Sequence, residues 1–155
     1  MTAPLLRYEV SARMTGPGVS TGAIAGKRAE IVFDTSATQS EELPGPADLL
    51  VTAFAACVLK NVERMSSFMP FSFSGASIVV VGERGVNPPR IVLINYVLRV
   101  KTDEPLRRLE LLHHNIQTQG TIYNTLAVAC SVRGELIAER LTGVSERSLA
   151  ATPVS

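Results

Sequence analysis

The chain has 155 residues, enough for one domain, and its 15 Lys and Arg against 14 Asp and Glu leave a net charge of +1, which argues against an electrostatic nucleic-acid binder. Hydrophobic residues make up 46% and charged residues 19%, so the chain can build a core and is not a disordered polymer. A mean hydropathy of +0.21 points to apolar surface covered by a second copy of the chain.

The elements follow in order. Leu6 to Met14 alternates loosely and reads as a strand. Met14 to Gly22 is rich in Gly, Ser and Thr around Pro17 and reads as a turn or loop. Ala29 to Asp34, with Ile31, Val32 and Phe33, reads as a short strand. A polar stretch then ends in Pro44-Gly45-Pro46. Pro46 suits a first helical position and Asp48 suits the first turn, so a helix should begin there and stop at Pro70. Leu49 to Val58 is apolar nearly all round, which predicts a central, buried helix.

Ser77 to Arg84 and Ile91 to Lys101 read as a hairpin turning over Gly85 to Pro89. Pro105 opens a second helix, with Leu106, Leu109, Leu112, His113 and Ile116 on one face and Gly120 at its end. Ala127 to Arg140 reads as a last strand carrying Val128, Cys130 and Val132 on its inner side. The tail from Thr142 is small and polar and should be loose. This order of strands, helices and hairpin is α+β.

Location follows from absences of pattern. The longest mostly apolar stretch, Leu49 to Leu59, is half of what a bilayer span needs. Residues 1–10 carry Arg7 and Glu9 and no apolar signal core. The expectation is a cytoplasmic protein without a membrane partner, in which Cys57 and Cys130 remain thiols or form one redox pair.

Cys57 is the residue with most chemical potential. It falls mid-helix beside Ala55 and Ala56, whose small side chains allow close approach. It reads either as a small core hydrophobe or as a thiolate nucleophile. A nucleophile at mid-helix lacks the N-terminal helix field and needs a cation; Lys60 is within reach along the helix. Cys130 reads as structural. His113 and His114 are adjacent and point about 100° apart, so they do not form a zinc pair. No phosphate-binding glycine motif and no GxSxG is present, and neither metal nor cofactor is expected.

Two segments together resemble a known family. Pro44-Gly45-Pro46-Ala47-Asp48-Leu49-Leu50 followed by Ala53-Phe54-Ala55-Ala56-Cys57 is similar to the NPEELLAAAxAAC helix of the OsmC/Ohr family of osmotically inducible proteins and organic hydroperoxide reductases. Gly120-Thr121-Ile122-Tyr123-Asn124-Thr125-Leu126 resembles its CPVSNTL segment. The resemblance covers roughly Tyr8 to Arg140. It implies a single domain built as an intertwined homodimer, with two central helices backed by curved, mainly antiparallel sheets and active sites at the subunit interface. It implies partners of three kinds: a second copy, an organic hydroperoxide and a thiol reductant. Cys57 matches the cysteine that attacks the peroxide. The resolving cysteine's position is Gly120, the family glutamate falls at Ala47 beside Asp48, and the family arginine falls opposite Gly18, near Arg13, Lys27 and Arg28.

Two readings follow. One is a thiol-dependent organic hydroperoxide reductase working with Cys57 alone. The other is a non-catalytic dimer of the same fold that binds a small apolar ligand or serves only as a structural dimer.

Overall fold

The computed structural model describes residues 6–16, 18–24, 27–141 and 147–150. The chain forms two compact units, Met1–Leu49 and Leu50–Ser155. The first holds an antiparallel three-stranded sheet of β1 (Val10–Gly16), β2 (Val19–Ile24) and β3 (Glu30–Asp34) in the order β1-β2-β3. β2 corrects the expected loop over Met14 to Gly22. Its small residues serve packing: a Cβ at Gly22 would meet the Phe33 ring at 3.1 Å, so the ring of β3 lies close over that glycine. The reversal itself is confined to the residues before Val19, where Gly18 takes a φ of +91°, a backbone region that glycine enters at little cost.

Helix α1 (Pro46–Phe68) starts as the sequence predicts. Gly45 caps it: its carbonyl accepts from Leu49 N at 3.0 Å, and its N–H donates to Asp48 Oδ2 at 2.8 Å. Asp48 thus satisfies a backbone donor ahead of the first turn and complements the helix dipole. Helix α1, expected to be central and buried, is buried along one face in the single chain. Phe54, Val58, Asn61, Val62 and Met65 are buried, while Leu50, Ala53 and Ala56 are exposed.

The second unit carries β4 (Gly75–Val86), β5 (Pro89–Lys101), α2 (Leu106–Gln119), α3 (Thr121–Ala127), β6 (Ser131–Glu139) and β7 (Arg147–Ala150). Its sheet runs β4-β5-β6-β7. The β4–β5 and β6–β7 pairs are antiparallel and β5–β6 is parallel, so the sheet is mainly antiparallel as expected. The parallel pair requires a long crossover, and α2 with α3 provides it. The predicted hairpin is present, with its turn tightened to Asn87 and Pro88 because Val86 and Pro89 still pair.

The C-terminal third adds one helix that the sequence reading left unassigned, and corrects two expectations. Thr121 to Ala127 is a helix, held at its start by Asn124 N on Gly120 O at 2.8 Å, although its β-branched residues favour a strand. Burial of Tyr123 overrides that propensity. The last strand therefore begins at Ser131, and Val128, in the turn that ends α3, is 88% exposed rather than inward. Within the tail, Arg147 to Ala150 pairs with β6, where a loose segment was expected; the rest of residues 142–155 lies outside the described residues.

The core of the second unit gathers Phe54, Val58 and Val62 of α1, Ile94, Leu98 and Val100 of β5, Leu109, Leu112 and Ile116 of α2, and Leu136 of β6. An aromatic cluster sits within it. The Phe54 ring is 5.6 Å from Tyr96 and 5.7 Å from Tyr123, and Tyr96 meets His113 and Tyr123 edge-on. The Tyr96 hydroxyl and His113 Nε2 are 2.8 Å apart, and Gln117 also hydrogen-bonds Tyr96. Burial pushes the Tyr96 phenol above its ordinary range and the His113 imidazole below its own. The neutral imidazole accepts while the phenol donates. Tyr96 lies against Gly134, its β6 partner: a Cβ there would fall 2.3 Å from the ring.

Gly134→Ala is therefore expected to lower stability by about 2–3 kcal/mol, since the ring is fenced by three other aromatic groups and cannot retreat. Urea unfolding with an unchanged slope checks this. His113 also sets a pH dependence. Its folded pKa lies below the ordinary 6.5, so its contribution is fully present above that pH. It is lost as the pH falls from there towards the folded pKa, because the unfolded chain takes the proton first. The urea midpoint should drop on acidification through this window, and His113→Gln, which can still accept from Tyr96 but cannot charge, should flatten that drop.

Candidate functional site around Cys57

Cys57 lies one turn beyond Phe54 on α1, at the border between the buried face and the exposed one, and is half-buried. Packing of Phe54 and Val58 fixes the rotation of the helix and so the direction of the thiol. One turn further on stands Asn61, 8% exposed. Its Nδ2 donates to the Cys57 carbonyl at 3.0 Å and lies 3.9 Å from the Cys57 sulfur. Asn61 is a site residue that was not picked out from the sequence. Its signal was present, as an amide four residues after the cysteine in an otherwise apolar helical stretch.

Gly120, the junction of α2 and α3, abuts the same amide. A Cβ at Gly120 would lie 3.3 Å from Asn61 Nδ2, 3.0 Å from Tyr123 Cβ and 2.8 Å from Ile116 O. The sulfur of Cys57 and the backbone of Gly120 thus flank one side chain. Gly120 has φ −75° and ψ 113°, open to any residue, so crowding rather than conformation requires glycine here.

Cys130 occupies the turn after α3, not a strand face as expected. Its thiol donates to Leu126 O at 3.4 Å, and burial raises its pKa while Arg90 offsets part of the rise. A thiol so held is a weak nucleophile at neutral pH.

The other sequence candidates separate. Lys60 is exposed, and among the described residues of the second unit the Cys57 sulfur has the Asn61 amide, not a cation, beside it. Asp48 caps α1 as described, and Ala47 beside it is exposed. Gly18, Arg13, Lys27 and Arg28 belong to the N-terminal unit, where Arg13 pairs with Thr21 across the β1–β2 ladder. His113 is committed to Tyr96, and His114 is exposed. No three His, Cys, Asp or Glu side chains converge among the described residues. No described helix is long and apolar enough to cross a membrane.

No protein-family model matches the sequence, and no curated protein is similar to it. Solved structures are similar. An OsmC-like protein from Mycoplasma pneumoniae superposes with a TM-score of 0.74 at 17% identity, covering 87% of this chain and 97% of that one. An OsmC-like protein of unknown function from Vibrio cholerae gives 0.71 at 16% identity, over 88% of this chain and 100% of that one. The organic hydroperoxide resistance protein OhrB of Bacillus subtilis gives 0.61 at 16% identity, over 86% and 99%. The α+β architecture is common to them, and this chain has the OsmC-like fold, shared with organic hydroperoxide resistance proteins.

Proposed function

We propose that the protein is a thiol-dependent organic hydroperoxide reductase in which Cys57 acts as the sole redox cysteine. The observation that carries the reading is the half-buried thiol of Cys57, backed by the Asn61 amide at the border of the buried face of α1. The hydroperoxide resistance protein with the same fold supports the substrate class.

The chemistry balances as follows. The Cys57 thiolate attacks the terminal oxygen of the hydroperoxide; an S–O bond forms as the O–O bond breaks. The alkoxide takes up a proton and leaves as the alcohol, and Cys57 is left as the sulfenic acid. Gly120 offers no second sulfur. An external thiol therefore attacks the sulfenic sulfur and releases water. A second thiol exchanges the mixed disulfide, so that Cys57 returns as a thiol and the reductant leaves oxidised. Asn61, whose Nδ2 faces the sulfur, positions it and can donate to oxygen formed on it.

Cys57→Ser is expected to abolish consumption of cumene hydroperoxide in the presence of a thiol reductant, because a hydroxyl is a far poorer nucleophile than a thiolate. Cys130→Ser should leave the rate unchanged. Peroxide treatment of the folded wild type should yield no Cys57–Cys130 crosslink by non-reducing mass analysis. Recovery of that crosslink, or turnover that survives Cys57→Ser, would overturn the single-cysteine reading.

The same proposal includes a homodimer. It is supported by the exposed Leu50, Ala53 and Ala56 on α1 and by Val79 and Val81 on β4, which are 65% and 53% exposed in the single chain. Sedimentation at micromolar concentration should give twice the chain mass; a stable monomer would refute it.

A further inference from the structure

Beyond Cys57, a cavity of about 230 Å³ opens between the C-terminal halves of α1 and α2, lined by Asn61, Arg64, Met65, Phe68, Asn115 and Gln119. We infer that it is a binding site for a small organic carboxylate with a short apolar tail, held by Arg64 and the surrounding amides. The site shares Asn61 with the Cys57 neighbourhood, but the proposed binding does not rest on the peroxide chemistry.

Four observations carry it. The Arg64 guanidinium rests 5.1 Å from the centroid of the Phe68 ring, one turn along, a contact that favours its position at the cavity wall. Among the described residues, no carboxylate forms an ion pair with Arg64. No acidic side chain lines the cavity, so its walls carry a net positive charge. One of the two Nδ2 hydrogens of Asn115 is given to the thioether of Met65, with Nδ2 3.0 Å from Sδ.

The last observation points most directly to a ligand. A thioether is a weak acceptor. A carboxylate oxygen entering the cavity would take that N–H as a stronger, charge-assisted bond, while the second oxygen meets the guanidinium. Met65 and Phe68 then offer apolar surface to the tail. Size sets the scale: at ~30 Å³ per water the cavity equals roughly eight waters, enough for a short acid and too little for a nucleotide. Neutral molecules of the same shape gain the apolar contacts only. Inorganic anions gain the charge without the tail.

Calorimetric titration of the full chain with hexanoate, hexanol and acetate tests this. Hexanoate should bind saturably, and hexanol and acetate should bind at least about tenfold more weakly. Arg64→Gln, a change at an exposed position, should weaken hexanoate by about tenfold or more with the far-ultraviolet spectrum intact. Cys57→Ser should bind hexanoate as wild type, which separates this site from the peroxide reading. Equal affinity for hexanol and hexanoate, or indifference to Arg64→Gln, would overturn the proposal. So would loss of self-association in Arg64→Gln without a hexanoate effect, which would assign the cavity to a carboxylate of a second copy.

Discussion

The Phe54 ring is wedged between Tyr96 of the central strand and Tyr123 of the short helix α3. That one contact joins three elements distant in sequence, and the positions of the others follow from it. With Phe54 seated, α1 has no freedom to turn about its axis, because Val58, Val62 and Met65 are driven into the same core. Cys57 is then held at the edge of the buried face and Leu50, Ala53 and Ala56 are turned outward. Tyr96 in turn is seated only because β6 offers Gly134 beneath it. A chain of steric permissions thus runs from a glycine in a strand to the direction of a thiol on a helix.

The polar part of this core follows the same logic. Tyr96 and His113 would each be expensive to bury alone, but each supplies what the other lacks, one a donor and one an acceptor. The pair fixes the rotation of α2 against β5. It thereby fixes the end of α2, where Gly120 presses on Asn61 and where Asn115 and Gln119 face Arg64. The neighbourhood of Cys57 and the cavity beyond it rest on the same buried hydrogen bond.

The parts of this arrangement that were legible in the sequence are those with strong local signals. Pro44-Gly45-Pro46 with Asp48 marks the start of α1, and the structure starts the helix at Pro46 with Gly45 and Asp48 forming its cap. The β-branched runs around Gly85 to Pro89 mark the hairpin. The parts that were misread are those where a distant contact overrules local preference. The last strand was read from Ala127, yet Ala127 closes helix α3, which carries Tyr123 to Phe54, and the strand starts only at Ser131. The small residues of β2 resemble a loop, yet Gly22 is small because Phe33 covers it. Cys57 was visible as chemistry from its type and setting. Asn61 was not, since its role depends on what α2 and α3 bring to it across 59 residues of chain, from Asn61 to Gly120.

The crowding at Gly120 bears on how this chain could gain or lose a second sulfur. Its backbone angles admit any side chain, so a cysteine codon there meets no conformational barrier. The obstacle is spatial: the first carbon of a new side chain would press on the Ile116 carbonyl, on Tyr123 and on Asn61 together. A thiol at this junction therefore demands that α2 and α3 part, or that a smaller residue replace Asn61, before it can sit beside Cys57. One-cysteine and two-cysteine versions of this site are separated by a coupled pair of changes, and the intermediate with only one of them is worse packed than either end.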